Sequence, residues 1–185
     1  MSDDLALMAD WTLGLRIFNI SNPASPILLG TCNTPGGAGD VAVSGNLGLV
    51  ADYNSGLQII DISNPATPII IGTYDTPDYA RGVAISNNLA LVADDASGLQ
   101  IIDISNPTTT AWMGTYDTVG NAFDVTVSGD LALVADRSSG LQIIDITNPA
   151  SPMLVGSCKT FGDARGVAVS GNLVFLADGS GPTGG

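Results

Sequence analysis

A spacing of 42 residues recurs along the whole chain and limits its possible folds more than any other feature. The segment at residues 56–65, which reads GLQIIDISNP, returns at 98–107 and, with Thr147 in place of Ser, at 140–149, and a looser copy lies at 14–23. A second segment, Leu-Val-Ala-Asp or a close variant, ends at the same spacing, at Asp10, Asp52, Asp94, Asp136 and Asp178. Such spacing without insertions indicates a tandem repeat whose units all fold alike.

Each unit predicts four β-strands, named a to d in chain order. In one unit they cover residues 83–86 (a), 89–94 (b), 99–105 (c) and 111–116 (d). Strands a and b are joined by two turn-forming residues, such as Asn87 and Asn88, which favour a tight hairpin. The b–c and c–d links carry Ser-Gly and Asn-Pro. All three links are too short for a crossover, so each unit is predicted to be an antiparallel meander.

Several strands are apolar on both faces, as in the run at residues 69–71. Such strands belong to sheets that are covered on both sides. Four-stranded antiparallel sheets stacked around an axis meet this need, whereas the coils of a parallel solenoid do not fold back through hairpins. The sequence therefore predicts an all-β fold, a β-propeller or an arc of one, with strand a innermost. It predicts one repeat domain over residues 1–180, with repeats at 10–51, 52–93, 94–135 and 136–177, and a flexible tail or linker at 181–185.

Strand b occurs five times and the other strands four times each, which gives 17 strands where four closed blades need 16. Two explanations remain open. The chain is a piece of a longer array, or the surplus strand pairs outside its own subunit, closing a ring or extending a polymer. Both leave exposed strand edges, so we expect a homo-oligomer or polymer.

The composition argues against several functions. Eighteen Asp residues, no Glu and five Lys or Arg give a net charge of −13, and the chain lacks the basic clusters that bind nucleic acid. No apolar run is long enough for a membrane span. The absence of His excludes nucleophilic catalysis of the Ser–His–Asp or Cys–His type. No catalytic or cofactor-binding residue stands out, and we predict that the protein is not an enzyme.

The LQIIDISNP segment, with Leu-Val-Ala-Asp upstream, resembles the LVIVD repeat family over residues 1 to about 180. The first unit departs from the pattern with Arg16 and Asn19. The family consists mostly of bacterial and archaeal surface proteins expected to be propellers. The resemblance thus implies an extracellular or cell-surface location, although no signal peptide is visible, and it implies no reaction and no catalytic residues.

The positions just before strand a alternate in chemistry from unit to unit. In a propeller they would border the mouth of the central channel, where they would form a polar rim or salt bridges between blades. They are the candidate ligand-facing residues: Asp40, Arg81, Asp124 and Arg165.

The Asp that ends each strand b has two interpretations. Several carboxylates can hold calcium, but one Asp per blade does not converge on one ion, so each is predicted to accept N–H bonds in its own b–c turn. Bonding to loop N–H groups is likewise predicted for Asp61, Asp103 and Asp145. Calcium stays a possible ligand, and no other cofactor is predicted.

Cys32 and Cys158 occupy the same position in different units. Strand d lies outermost in a propeller, where blades splay apart, so two packed thiols are predicted rather than a disulfide. A cross-link between subunits remains open if the protein is secreted.

Together these features predict a non-enzymatic surface module that acts by binding a protein or glycan, or by self-assembly. The alternatives are a calcium-stabilised structural module and a hydrolase or lyase at the channel mouth.

Overall fold

The computed structural model of the protein describes residues 4–179, which form seventeen β-strands. The strands are β1 Leu5–Asp10, β2 Gly14–Asn19, β3 Ile27–Cys32, β4 Asp40–Ser44, β5 Leu47–Ala51, β6 Leu57–Asp61, β7 Ile69–Tyr74, β8 Gly82–Ser86, β9 Leu89–Ala93, β10 Leu99–Asp103, β11 Ala111–Tyr116, β12 Asp124–Ser128, β13 Leu131–Ala135, β14 Leu141–Asp145, β15 Met153–Cys158, β16 Ala164–Ser170 and β17 Leu173–Asp178. The number and order of strands match the sequence prediction. The predicted tail at 181–185 lies outside the described residues.

The strands form five antiparallel sheets, here called sheets 1 to 5. Sheet 1 contains β1–β3, sheets 2, 3 and 4 contain β4–β7, β8–β11 and β12–β15, and sheet 5 contains β16–β17. Hydrogen-bonded neighbours follow chain order within each sheet, so every sheet is the predicted meander. Matched to the predicted strands a to d of the repeat, sheet 1 consists of strands b, c and d, and sheet 5 consists of strands a and b.

The a–b hairpins turn on a residue with positive φ. The first turn residue has a φ of 57° at Gly45, 54° at Asn87 and 59° at Gly129. Glycine adopts this left-handed region freely, and Asn tolerates it better than most residues. The sequence therefore identified these hairpins by their turn chemistry.

The hydrophobic core lies between the sheets. Leu49 and Val50 are neighbours on β5, so their side chains point to opposite faces of sheet 2, and both are fully buried. Leu49 belongs to a cluster with Val92 of sheet 3, and Val50 to a cluster with Ile17 of sheet 1. Two similar clusters join sheets 3 and 4 and sheets 4 and 5. The prediction that interior sheets are covered on both sides is confirmed for strands b and c, whereas the outer strand d is less covered, with Ile69 57% exposed.

Successive sheets approach one another most closely along their first strands, β4, β8, β12 and β16. A Cβ atom added to Gly82 on β8 would lie 2.8 Å from the Cα atom of Asp124 on β12. The small residue at the start of β8 is therefore required by the crowding between neighbouring first strands.

The stack of sheets is open. Within residues 4–179, no strand of sheet 1 pairs with a strand of sheet 5. None of the described secondary structure is a helix capable of crossing a bilayer.

A glycine in strand d lies against the c–d loop of the next sheet. A Cβ atom at Gly72 would lie 1.8 Å from the carbonyl oxygen of Pro107, and Gly30 and Gly114 meet Pro65 and Pro149 in the same way. Gly156 is the corresponding residue of sheet 4, but the nearest atoms to its added Cβ are 3.8 Å away, in the Ile143 side chain of its own sheet.

These contacts predict that the same substitution has a large effect on stability at one glycine and almost none at the other. Gly72→Ala should lower the free energy of unfolding by about 2 kcal/mol or more, because the new methyl group collides with backbone of the next sheet. Gly156→Ala should change it by less than about 0.5 kcal/mol, because the site has room. Urea denaturation of both variants measures the difference. Equal effects would contradict the inter-sheet contact.

Candidate ligand-binding cleft

Differences between the units are concentrated at one end of the stack. Because the meander is antiparallel, the b–c turns and the d–a loops lie at the same edge of every sheet. We call this edge the variable end. Its divergent positions include 11, 53, 95 and 137, which read Trp, Tyr, Asp and Arg, and 39, 81, 123 and 165, which read Gly, Arg, Phe and Arg. At the opposite edge, the a–b and c–d links keep nearly the same residues throughout.

Buried carboxylates hold the d–a loops at this end. Asp136 accepts hydrogen bonds from Thr118 Oγ1 and from the Gly120 N–H, both at 2.8 Å. Asp52 accepts the Thr34 hydroxyl at 2.5 Å and the Gly36 N–H at 2.8 Å, and Asp94 accepts the Asp78 N–H at 3.0 Å. The prediction that these three side chains accept N–H bonds in their own b–c turns is therefore wrong, because tertiary packing brings the d–a loop within reach. It is wrong also for Asp178, which accepts the Gly162 N–H at 3.2 Å. Asp136 does contact its own turn, but through the Ser139 side chain.

Asp10 behaves as predicted. Its carboxylate accepts the Thr12 N–H at 3.1 Å and the Thr12 hydroxyl at 3.0 Å, both in its own turn. No d–a loop enters sheet 1 within the described residues, so Asp10 has a local partner instead. At the opposite edge, Asp61, Asp103 and Asp145 each accept a loop N–H at 2.8 Å, which confirms the prediction for them.

Two of the four predicted ligand-facing residues join neighbouring sheets. Asp40 accepts the N–H of Val41 at 2.8 Å and that of Val83, in the next sheet, at 2.9 Å. Asp124 accepts the Val167 N–H of the next sheet at 2.8 Å. Burial raises the pKa of the Asp124 carboxyl, although the Val167 N–H opposes the shift. Both carboxylates thus connect first strands.

All four predicted residues line one cavity of about 220 Å³, together with Gly39 and Phe123. Their ion pairs, however, each join residues at the same edge of a single sheet. Arg81 pairs with Asp95, and the Arg165 guanidinium lies 3.4 Å from the Asp163 carboxylate. The alternative of salt bridges between neighbouring sheets is therefore wrong for these two arginines. Whether the four residues contact a ligand stays a prediction.

A row of aromatic and arginine side chains crosses the variable end, and we call it the aromatic ladder. The Trp11 and Tyr53 ring centroids are 4.9 Å apart, and the Tyr53 and Tyr79 rings stack at 4.1 Å with an angle of 8° between planes. The Arg81 guanidinium lies 5.1 Å from the centroid of Tyr53 and 5.0 Å from that of Phe123, distances suited to cation–π attraction. Arg137 completes the ladder, 5.2 Å from the Phe123 ring.

Backbone hydrogen bonds fix the ladder. Tyr53 has a φ of 49°, which is uncommon for a residue with a Cβ atom, and it exchanges two 3.0 Å backbone hydrogen bonds with Ala80. Asp95 and Arg137 also have positive φ, and they form the equivalent backbone bridges with Ala122 and Ala164. Arg81 is held by its ion pair with Asp95, which also accepts a hydrogen bond from Asn121.

The ladder borders a cavity of about 340 Å³, within the range of small-ligand pockets. Its lining includes Ala9, Trp11, Tyr53, Arg81 and Phe123. The cavity shares Trp11 and Tyr53 with an adjoining surface groove, and it shares Arg81 and Phe123 with the cavity of the four predicted residues. These depressions form one continuous cleft with flat apolar walls and guanidinium donors.

The remaining predicted sites lie apart from the cleft. Among residues 4–179, no three His, Cys, Asp or Glu side chains form a group suited to a metal ion. Cys32 is buried, Cys158 is exposed, and both are free thiols, so the prediction of packed thiols holds for Cys32 alone. Burial raises the pKa of the Cys32 thiol.

Comparison with known families gives a match over the whole repeat region. The family described as the LVIVD repeat matches residues 1–34, 35–76, 77–118, 119–160 and 161–181. The chain belongs to the LVIVD repeat family. The resemblance carried by the LQIIDISNP segments is thereby confirmed. A search of curated proteins finds no match.

Solved structures share the fold of this LVIVD repeat chain at low sequence identity. A functionally unknown protein from Desulfotomaculum acetoxidans DSM 771 is 19% identical, with a TM-score of 0.76 over 95% of this chain and 62% of its own. The computationally designed protein Ika8 is 9% identical, with a TM-score of 0.73 over 96% of this chain and 54% of its own. The designed Ika4 is also 9% identical, with a TM-score of 0.63 over 78% of this chain and 87% of its own. The LVIVD chain thus spans between half and two thirds of the first two proteins.

Most of the aromatic ladder was missed by sequence reasoning, which selected only the positions before strand a. Arg81 was included, whereas Trp11, Tyr53, Tyr79, Phe123 and Arg137 were not. A signal was present, because the residue after each strand b Asp differs in every unit, whereas the strand before it nearly repeats.

The buried and exposed aspartates predict opposite pH dependences. Burial raises the folded-state pKa of Asp136, so its contribution to the unfolding free energy falls as pH rises from 3.8 through that raised pKa. The Thr147 N–H lowers the pKa of Asp145, so its stabilisation is complete above pH 3.8 and is lost as pH falls through the lowered pKa.

Urea denaturation between about pH 2 and 7 tests both signs. The stability of the unsubstituted chain relative to Asp136→Asn should decrease as pH rises, and its stability relative to Asp145→Asn should increase. Two slopes of the same sign would contradict the assigned environments.

Proposed function

We propose that this chain is a propeller-like arc that acts as a non-enzymatic recognition module on the cell surface or outside the cell, and that it binds its partner through the variable end. The open stack of sheets, closest along their first strands, supports the propeller-like arrangement. The extracellular location rests on the family resemblance alone.

The observation that carries the proposal is the concentration of chemical variety at one end of a repeating scaffold. Residues that pack between sheets repeat because every unit needs them. The varied positions instead converge in one cleft, where exposed Trp11 and Tyr79 lie beside Arg81. Aromatic and arginine side chains are those most enriched at binding hot spots.

The bonding of the carboxylates favours binding over catalysis. Both oxygens of Asp40, and both of Asp124, accept backbone N–H groups. These two carboxylates therefore act as connectors between sheets, which accounts for their presence without a reaction.

The chain offers a well-matched control for testing the site. Trp11 is 56% exposed in the cleft, and Trp112 is 54% exposed on β11, away from the variable end. A glycan array and a random peptide display library should each be screened with the intact chain. Binders should lose about tenfold or more in affinity with Trp11→Ala and keep it with Trp112→Ala.

Three outcomes would contradict this function. Binders unaffected by Trp11→Ala would place recognition elsewhere, and chemical conversion of a bound glycan or peptide would indicate an enzyme. The absence of any binder from both libraries would also count against it.

Self-association is a second candidate, favoured by the apolar faces of the terminal sheets. Met8 of sheet 1 is 41% exposed, whereas Val50, its counterpart in sheet 2, is fully buried. Phe175 of sheet 5 is 57% exposed, whereas its counterpart Leu133 is 3% exposed. Each face repeats the chemistry of an interior face without its covering sheet. A second copy, which presents the complementary face, would continue the stack.

Light scattering after size-exclusion chromatography tests this association. The chain should form dimers or larger species at high micromolar concentration, and Phe175→Asp should shift them toward monomer. Ile69→Asp is the control, because Ile69 is an equally exposed apolar residue on an interior sheet. A strictly monomeric parent chain, or equal effects of both substitutions, would rule out association through the terminal faces.

A further inference from the structure

The cleft continues into a long, shallow groove. The 340 Å³ cavity shares Trp11 and Tyr53 with a depression of about 580 Å³, which also includes Pro35. That depression shares Asn54 and Tyr79 with a third one of about 460 Å³, formed by the loop at residues 74–79. A connected series of open depressions suits an extended polymer better than a compact molecule, which binds in an enclosed pocket.

The aromatic rings offer a continuous apolar surface to an extended ligand. Half-buried Tyr53 lies between exposed Trp11 and exposed Tyr79, so two aromatic ridges flank its ring. The Tyr53 centroid lies 4.9 Å from that of Trp11 and 4.1 Å from that of Tyr79, so the three rings form a continuous aromatic row. A polyproline II helix repeats every three residues at about 3.1 Å each, so it would present proline rings to this row at regular intervals. Aromatic-lined grooves are the recurrent docking surface for such helices.

The charge of the groove indicates a basic ligand. The third depression carries exposed Asp75 and half-buried Asp78 next to Tyr79. Asp78 is held in place because it accepts the Tyr79 N–H at 2.9 Å and the Ala96 N–H at 3.2 Å. At the other end of the groove, the Arg81 charge is paired with Asp95. With a net charge of −13, the chain attracts cationic partners and repels anionic ones.

We propose that the groove binds an extended, proline-rich peptide carrying Lys or Arg, with proline rings against the exposed rings of Trp11 and Tyr79 and a basic side chain beside Asp75. This inference rests on the proposed function and names the class of its partner. The prolines hold the peptide extended before it binds, which reduces the entropy lost on binding. The carboxylates provide the preference for a basic partner.

Trp11 itself reports binding. The chain has two tryptophans, so Trp112→Phe leaves Trp11 as the only indole. This variant should be titrated with a dodecapeptide of four Pro-Pro-Lys units while Trp11 emission is recorded. The peptide should change the emission and saturate, and its affinity should fall with added salt because the ionic contact is screened.

Two further peptides separate the contribution of the prolines to binding affinity from that of the lysine charges. Replacing both prolines of each unit by glycine should weaken binding about tenfold or more, because the free peptide is no longer extended. Replacing each lysine by glutamate should do the same through charge repulsion.

Two aspartates at the same repeat position provide the control. Asp75→Asn should weaken binding of the Pro-Pro-Lys peptide several-fold, whereas Asp117→Asn, one unit along and equally exposed to solvent, should not. Equal losses would indicate a structural role for this position. Circular dichroism of both variants checks that the fold is unchanged.

The outcomes distinguish this inference from the proposed function. Equal affinity for the proline and glycine peptides, or no response to any peptide, would overturn the peptide assignment. A response of Trp11 to a chito-oligosaccharide alone would also overturn it while supporting recognition at the variable end. Library binders indifferent to Trp11→Ala would overturn both.

Discussion

The burial of both faces of each interior sheet is the constraint on which the rest of this structure depends. Neighbours on one strand, such as Leu49 and Val50, pack into different cores that are shared with different sheets. No interior sheet holds a core of its own, so every unit is stable only between its neighbours. This coupling explains the absence of insertions, since an extra residue within a strand would reverse which side chains face each core.

The same scaffold fixes the cleft. Asp52 and Asp136 hold the d–a loops, and the paired hydrogen bonds between Tyr53 and Ala80 connect a b–c turn to the next loop. Each connection joins residues that are distant in sequence, and each recurs in successive units. The side chains of the aromatic ladder therefore project from a backbone that is fixed by repeated contacts. Their variety causes no change in the packing beneath them.

The sequence predicted the strands, the hairpins and the two-sided burial because these follow from local patterns. Asn87 sits in a turn because of its own backbone preference, and Leu49 is buried because its strand is apolar on both faces. The partners of Asp52 were not predictable in this way. Turn chemistry suggests an N–H in its own turn, whereas packing places Thr34 and Gly36 beside it. The ladder was missed for a related reason, since its members come from different units and meet only when the sheets stack.

The backbone bridges at Tyr53, Asp95 and Arg137 have one more consequence. They are made entirely by main-chain atoms, and they hold an aromatic, an acidic and a basic residue in the same left-handed conformation. The bridges themselves therefore do not dictate which side chain each turn carries, which is the property sought in a framework for combinatorial libraries. Swapping residues between equivalent turns would change the surface of the cleft while leaving these backbone bridges available, so point substitution alone can diversify the chemistry that one short module presents.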